Sequence, residues 1–216
     1  MEINTIIKGD CLRTLEIIPD NFVDIVFYDP PYNVKKKYDG YDDNLPTDEY
    51  MDWMFEVYTE AERVSKRGVI VYVGGTLTRL FYNLIPYAHL IIIKKGAAGV
   101  FAGNYMLQYH SMFSTVKPII KCKDLWDDIR LPGEGYFFRE PRYPTPGMTS
   151  RKLVERVLHH FTMENELVLD PFMGCGTTAE AAINMNRNYL GIEQSQLYCD
   201  IADERIQKAK VNKFNE

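Results

Sequence analysis

The chain has 216 residues, of which 46% are hydrophobic and 25% charged, and its formal net charge is −5. This length suits one domain with a full hydrophobic core, and the composition argues against disorder. No apolar run approaches the roughly 20 residues that span a bilayer, and the N-terminus lacks the pattern of a signal peptide. We therefore expect a single cytoplasmic domain over 1–216 with no membrane partner.

Seven short apolar runs predict β-strands. Nearly continuous apolar runs of this length are typical of strands buried on both faces, as in a parallel sheet. The runs lie at 5–8, 23–28, 69–73, 90–93, 109–116, 167–169 and 189–192.

Helical patterns lie between several of these runs, at 48–65, 150–161, 177–186 and 196–210. In the first helix, the apolar spacing places Phe55 among the inward-facing side chains. In the last helix, we expect Leu197 and Ile206 to face the core. Because strands and helices alternate, the sequence predicts a doubly wound, mostly parallel α/β sheet of seven strands.

The four cysteines show neither a CxxC pair nor a metal-ligand spacing. They are Cys11, Cys122, Cys175 and Cys199. We expect free thiols and no metal site.

A glycine-rich turn follows the strand predicted at 167–169. Gly174 and Gly176 allow a tight turn and a close approach of the backbone to a ligand. The hydroxyl of Thr177 or Thr178 is in place to cap the helix that follows. The segment therefore predicts a ligand-binding turn between a strand and a helix.

Two carboxylates indicate the chemistry of that ligand. Glu193, at the end of the next strand, suits hydrogen bonding to ribose hydroxyls. Asp170, at the start of the turn, disfavours a pyrophosphate and favours a cationic ligand. This combination favours S-adenosyl-L-methionine, which carries an ammonium, a sulfonium and a ribose. The alternative is a nicotinamide dinucleotide, because Gly174, Gly176 and Ala179 also match the GxGxxA spacing.

The strand predicted at 23–28 ends in Asp29, Pro30, Pro31 and Tyr32. Asp29 and the carbonyl of Pro30 can accept hydrogen bonds from an exocyclic amine, which frees the amine lone pair for attack. Tyr32 can stack on a base that has been flipped out of a duplex. We interpret these four residues as the catalytic motif.

The two motifs together resemble those of the DNA N6-adenine/N4-cytosine amino-methyltransferases. The second motif reads Asp170-Pro171-Phe172-Met173-Gly174-Cys175-Gly176-Thr177-Thr178. The catalytic motif precedes the cofactor motif, which resembles the circularly permuted beta group of that family. The resemblance is strong over 5–32 and 144–206. It implies the Rossmann-like methyltransferase fold and S-adenosyl-L-methionine as cofactor.

The resemblance also implies which residues contact the cofactor. Asp10 and Cys11 are expected near its adenine, and Glu193 at its ribose. The remaining cofactor-binding candidates are Thr145, Asp170, Pro171, Phe172, Gly174, Gly176, Thr177, Thr178 and Gln194. The chain departs from the family at Tyr143-Pro144-Thr145-Pro146-Gly147-Met148, where members carry His-Pro-Thr-x-Lys-Pro.

The net acidity means that nucleic-acid binding requires a local basic patch. We expect 33–46 to be a substrate-side loop and 118–147 to be a short insert in place of a target-recognition domain. Lys94 and Lys95 form one basic pair along the chain. The nucleic-acid-binding candidates are Lys35, Lys36, Lys37, Arg139 and Arg142.

The leading hypothesis is methylation of adenine N6 in DNA, because cytosine-N4 enzymes of this group more often begin the catalytic motif with serine. The second hypothesis is cytosine-N4 methylation of DNA or of structured ribosomal RNA, which a short insert would suit. A catalytically idle cofactor-binding subunit and an oxidoreductase are the further alternatives. Nucleic acid, with DNA favoured over RNA, is the expected partner. A homodimer or a specificity subunit is also compatible with the sequence.

Overall fold

A computed structural model describes residues 1–95, 100–102, 104–129, 143 and 147–214. The strands of the described part are β1 (Thr5–Lys8), β2 (Ile25–Tyr28), β3 (Lys37–Tyr38), β4 (Tyr41–Asp42), β5 (Val69–Gly74), β6 (His89–Lys94), β7 (Val100–Ala102), β8 (Tyr105–Leu107), β9 (Tyr109–Ser114), β10 (Leu125–Trp126), β11 (Leu167–Asp170) and β12 (Asn188–Glu193). The helices are α1 (Cys11–Glu16), α2 (Thr47–Val64), α3 (Thr78–Leu84), α4 (Arg151–Phe161), α5 (Thr177–Asn184) and α6 (Gln196–Phe214).

The main sheet has the strand order β1-β12-β11-β2-β5-β9-β6-β10. Among the described strands of this sheet, β9 alone runs antiparallel to its neighbours. The predicted mostly parallel α/β sheet is therefore confirmed. The count of seven strands was one too low, because the two-residue β10 pairs with β6 at the edge. A strand of two residues, in which only Trp126 is buried, is too short to show a sequence pattern.

Helices cover both faces of the sheet. Helices α4, α5 and α6 pack on one face around a core that includes Val157 and Ile206. Helices α1, α2 and α3 pack on the other face around a core that includes Leu15 and Phe81. Sequence periodicity missed α1 and α3, which have six and seven residues, because such short helices complete less than two turns. None of the helices that the structure describes is long and apolar enough to cross a membrane.

Two predicted core residues are exposed. Phe55 is 54% exposed, and Val57 is buried in its place. The inward stripe of α2 runs through Met54, Val57 and Ala61, and Phe55 lies about 100° off that stripe around the helix axis. Leu197 is 51% exposed because it lies in the first turn of α6, where Tyr198 and Cys199 take the buried positions. The free state predicted for all four cysteines is confirmed.

Gly176 is expected to be the least replaceable glycine of the α5 N-terminus. Its φ is +82°, and a Cβ at this position would lie 2.9 Å from the Cβ of Ala202 on α6. Gly40 has a similar φ of +78° but open space around it. We expect Gly176→Ala to lower the free energy of unfolding by about 1–3 kcal/mol more than Gly40→Ala does, because only the first adds overpacking to backbone strain. Urea denaturation of both variants measures this difference, and equal losses would contradict it.

Candidate functional site

The carboxyl ends of five strands meet along one edge of the sheet, because β1, β12, β11, β2 and β5 are mutually parallel. The chain leaves β11 toward α5 on one face and leaves β2 toward α2 on the other face. Ligands of open α/β sheets bind at such a reversal, outside the carboxyl ends of the strands.

A cavity of about 380 Å³ lies at this edge. This volume falls within the range of about 300–1,000 Å³ that is usual for small-molecule sites. The predicted residues that line it are Asp10, Cys11, Asp29, Pro30, Pro31, Tyr32, Lys36, Asp170, Pro171, Phe172, Gly174, Thr177, Thr178, Glu193 and Gln194. The two predicted motifs, about 140 residues apart in sequence, therefore share one cavity.

Three of the other predicted residues lie away from the cavity lining. Gly176 is buried beneath the glycine turn against Ala202. Lys35 and Lys37 have exposed side chains beside the cavity mouth. Thr145, Arg139 and Arg142 lie outside the described residues.

The glycine turn is held by backbone contacts to β12. The Met173 N–H donates to the carbonyl of Ile192 at 2.9 Å. The Gly174 N–H donates to Glu193 Oε2 at 2.8 Å, and the Ser195 N–H donates to Oε1 of the same carboxylate at 2.8 Å. Each Glu193 oxygen retains a second lone pair for a ligand hydroxyl. The orientation of Glu193 is thereby fixed before any ligand binds.

The proposed helix cap by Thr177 or Thr178 was wrong. Gly176 occupies the N-cap position of α5, and no side chain caps the helix. The Thr178 hydroxyl instead donates to Asp170 Oδ2 at 2.5 Å, and the Phe172 N–H donates to Oδ1 at 2.9 Å. These contacts tie the buried carboxylate to both sides of the turn.

Asp170 is a buried acid in an acidic neighbourhood. The pKa of Asp170 is raised to about 7, chiefly by burial and also by the nearby charges of Asp29 and Glu193, against the hydrogen bonds from Thr178 and Phe172, which lower it. None of the salt bridges between described residues involves Asp170 or Glu193. A desolvated carboxylate of this kind is stabilised by a cation. This half of the cavity therefore fits a cationic ligand that carries a ribose.

The two carboxylate oxygens of Asp29 differ in their hydrogen bonding. The Thr149 hydroxyl donates to Asp29 Oδ2. Oδ1 is buried and has no hydrogen-bond partner of normal geometry among the described residues. Burial raises the pKa of Asp29 to about 7, while Thr149, the Tyr32 hydroxyl and the charge of Lys36 lower it. A buried acceptor without a partner is costly unless a ligand donates to it.

Tyr32 forms an aromatic wall beside Asp29. Its ring packs edge-on against His110, with 6.4 Å between the ring centroids, and the Lys36 ammonium lies 5.8 Å from the Tyr32 centroid. Gly74 lies against the same ring, where a Cβ would be 3.0 Å from Tyr32. Burial lowers the pKa of His110 to about 4, with Lys95 and Lys36 contributing, so the imidazole is neutral at physiological pH. Tyr32 thus packs against the neutral His110 and against Gly74, with the Lys36 ammonium near its ring and the Asp29 carboxyl near its hydroxyl.

The segment 33–46 folds into the β3–β4 hairpin and a turn around Asp43. The Asp43 carboxylate is buried and accepts hydrogen bonds from the N–H groups of Asn33, Val34 and Lys36. At the hairpin tip, the Ser195 hydroxyl donates to Asp39 at 2.5 Å. The segment therefore borders the Asp29 half of the cavity through Lys36 and the Glu193 half through Asp39.

Arg205 of α6 supports the glycine turn from below. Its side chain is 4% exposed and pairs with Glu180 at 2.5 Å. The same guanidinium donates to the Cys175 carbonyl at 2.8 Å and to the Thr177 hydroxyl at 3.1 Å. It also stacks over the ring of Tyr143, 4.4 Å from its centroid. One cation thus joins α6, α5 and the turn.

Sequence reasoning missed Thr149, Arg205 and Asp39. Thr149 follows Gly147 in an irregular stretch, and nothing in its local sequence indicates a contact with a residue 120 positions away. Arg205 offered a weak indication, since it falls on the inward stripe of α6 between Ala202 and Ile206. A charged residue at a core position is rare unless it is paired.

The fold and this cavity together define a Rossmann-like methyltransferase. Residues 23–124 and 120–204 match the family model of the N6/N4 methyltransferases, described as DNA methylase. The chain therefore belongs to the N6/N4 DNA methylase family, whose methyl donor is S-adenosyl-L-methionine.

Individual relatives are similar over almost the whole chain. DNA adenine methyltransferase YhdJ of Escherichia coli K12 is 27% identical, over 96% of this chain and 84% of that protein. TTHA0409 of Thermus thermophilus, solved with S-adenosyl-L-methionine, superimposes with a TM-score of 0.67 at 21% identity, over 95% of this chain and 93% of that one. The cytosine-N4-specific PvuII DNA methyltransferase gives a TM-score of 0.70 at 18% identity, over 97% and 92%. The two structural likenesses support the fold.

Proposed function

We propose that this chain transfers a methyl group from S-adenosyl-L-methionine to N6 of adenine in DNA. The observation that carries the proposal is the buried Oδ1 of Asp29 beside Tyr32, which has no hydrogen-bond partner of normal geometry among the described residues and lies in a cavity shared with Asp170 and Glu193. An exocyclic amine is a donor that would satisfy this oxygen. The Tyr32 ring offers a surface on which an extruded base can stack.

The cofactor fits the acidic half of the cavity. Asp170 would balance the charge of the methionine ammonium, and Glu193 would accept hydrogen bonds from the ribose hydroxyls. Asp10 and Cys11, at the end of β1, line the same cavity and would border the adenine. When bound, the cofactor supplies an electrophilic methyl group, and its sulfur keeps the electron pair of the broken carbon–sulfur bond.

The residues around Asp29 explain how an amine becomes a nucleophile. Thr149 holds Oδ2, so Oδ1 has one orientation from which to accept the amine hydrogen bond. This contact would free the nitrogen lone pair, and Oδ1 would take up the proton that the nitrogen loses and pass it on to water. With a pKa of about 7, Asp29 can both take up and release this proton near neutral pH. Positioning and electrostatics therefore supply the catalysis.

Aspartate at position 29 and the similarity to an adenine methyltransferase support adenine as the target base. The test is transfer of labelled methyl from S-adenosyl-L-methionine to unmethylated genomic DNA and, in parallel, to total RNA, followed by nucleoside mass spectrometry. We expect N6-methyldeoxyadenosine. Detection of N4-methyldeoxycytidine would show that the target base is cytosine instead. Label in RNA alone would show that the substrate is RNA rather than DNA.

Cofactor affinity is expected to depend on pH through Asp170. Its pKa of about 7 lies above the usual 3.8 of an aspartate, so the carboxyl loses its charge as the pH falls below 7. Because the cationic cofactor binds the charged form, the dissociation constant should rise as the pH falls from 8.5 to 6. Asp170→Asn should weaken binding by about 10–100-fold at pH 8.5 and flatten this dependence. Titration calorimetry measures both, and a steep pH dependence that survives in Asp170→Asn would contradict the assignment.

A further inference from the structure

Charges of opposite sign flank the cavity mouth. On the β1–β12 side lie Asp10, Asp39 and Glu193. On the β5–β9–β6 side lie Lys36, Lys95 and Arg79, the first two of which lower the pKa of His110 by their positive charge. A net acidic protein that binds a polyanion must do so through a local basic surface. The basic β5–β9–β6 side is therefore the one that a phosphodiester strand can approach.

A shallow groove of about 350 Å³ opens on this basic side, at the carboxyl end of β5. We call it the flank groove and define it by the residues that line it, which are Gly75, Thr76, Thr78, Arg79, Tyr82, Leu107 and Tyr109. It begins one residue after Gly74, which lies against the Tyr32 ring of the main cavity. Gly74 therefore lies between the flank groove and the Tyr32 ring that lines the main cavity.

The side chains of the flank groove suit a nucleic-acid backbone. Arg79 is exposed and forms no salt bridge with any residue that the structure describes. Tyr82 is 53% exposed, one helical turn along α3. Lys95 follows β6, its backbone N–H donates to the Gln108 carbonyl, and its charge reaches His110, the residue after Tyr109 of the groove. Cations with an aromatic surface between them are the combination that binds phosphates and stacks on bases.

We propose that the flank groove, with Lys95 at its rim, binds the phosphodiester backbone next to the base that enters the main cavity. This inference rests on the proposed function. Arg79 and Lys95 contact the phosphates, and Tyr82 contacts a flanking nucleotide. The groove then aligns the strand so that one base passes Tyr32 toward Asp29. None of these three side chains touches the cofactor half of the cavity.

The experiment compares Arg79→Ala, Lys95→Ala and the parent enzyme for binding of a labelled 20-base-pair DNA duplex at several salt concentrations. Lys208→Ala, which removes an exposed lysine on α6, is the matched control. Each groove variant should weaken DNA binding by about 8-fold at 0.1 M salt, and the slope of log K against log salt should fall by about 0.9. The affinity for S-adenosyl-L-methionine should remain that of the parent, because neither side chain lines the main cavity. Tyr82→Ala should raise KM for DNA with the salt slope unchanged.

Three results would overturn the inference. Groove variants with the affinity and salt slope of the Lys208→Ala control, in an enzyme that still methylates DNA, would reject the flank groove and leave the proposed function intact. A parent enzyme that neither binds nor methylates DNA would reject both. Loss of cofactor affinity in Arg79→Ala would assign a folding role to that residue instead.

Discussion

Asp29→Ala is expected to abolish methyl transfer while the affinity for S-adenosyl-L-methionine stays within about threefold of the parent value. Asp29 Oδ1 is the buried acceptor that we assign to the amine, whereas Asp170 and Glu193 are the carboxylates that we assign to the cofactor. Removing one preorganised hydrogen-bonding group from such a site costs about 100–1,000-fold in rate, and here the same group also takes the proton. Single-turnover methyl transfer and cofactor titration measure the two quantities separately.

Three further variants sharpen this experiment. Asp29→Asn preserves shape but cannot accept the proton, so its rate should be as low as that of Asp29→Ala. Thr149→Val removes only the hydroxyl that orients Asp29, so it should reduce the rate less and shift its acidic limb to higher pH, since that hydrogen bond lowers the pKa of Asp29. Thr149→Ser keeps the hydroxyl, so its rate and the acidic limb of its pH profile should be those of the parent. If Asp29→Ala lost cofactor affinity and transfer together, Asp29 would belong to the cofactor site.

Arg205→Met is expected to lower the free energy of unfolding by about 2–4 kcal/mol and to weaken cofactor binding. The variant keeps most of the side-chain volume but removes the hydrogen bond to the Cys175 carbonyl and the short ion pair with Glu180. Removing one partner of a buried ion pair costs about 3–5 kcal/mol, and the partial exposure of Glu180 reduces that figure. Cofactor affinity should fall because the turn that carries Gly174 loses its support. Urea denaturation and titration of S-adenosyl-L-methionine measure the two effects.

Lys208→Met is the matched control on the same helix. Lys208 is exposed and pairs with Glu204 one turn away, so its replacement should change stability by less than about 0.5 kcal/mol. Equal stability of Arg205→Met and Lys208→Met would show that Arg205 does not support the turn.

Local chemistry made much of the site predictable. Asp29 and Asp170 each end a buried apolar run, and the carboxyl ends of parallel strands meet at one edge, so the sequence could bring the two motifs together. Glu193 was predictable for the same reason. Gly176 was identified correctly as a residue of the turn, but its side of the turn faces Ala202 rather than the cavity.

Contacts between distant segments were not predictable in this way. Thr149 reaches Asp29, and Ser195 reaches Asp39, across 120 and 156 residues. Such pairs follow from how the irregular segments fold over the sheet edge, and no periodic pattern encodes that path. The hairpin at 37–42 was likewise predicted only as a loop, because strands of two residues show no alternation.

The strand order has a consequence for synthesis on the ribosome. The first strand, β1, pairs only with β12 among the described strands, although about 180 residues separate them, and β2 pairs on one side with β11. Chain closure over such distances is slow, and unpaired strands are prone to aggregate. Strand β1 must therefore wait until the chain has been translated through β12 before it is covered. Nascent chains arrested before residue 188 should accordingly be sensitive to protease at β1 and retained by chaperones that bind exposed strands.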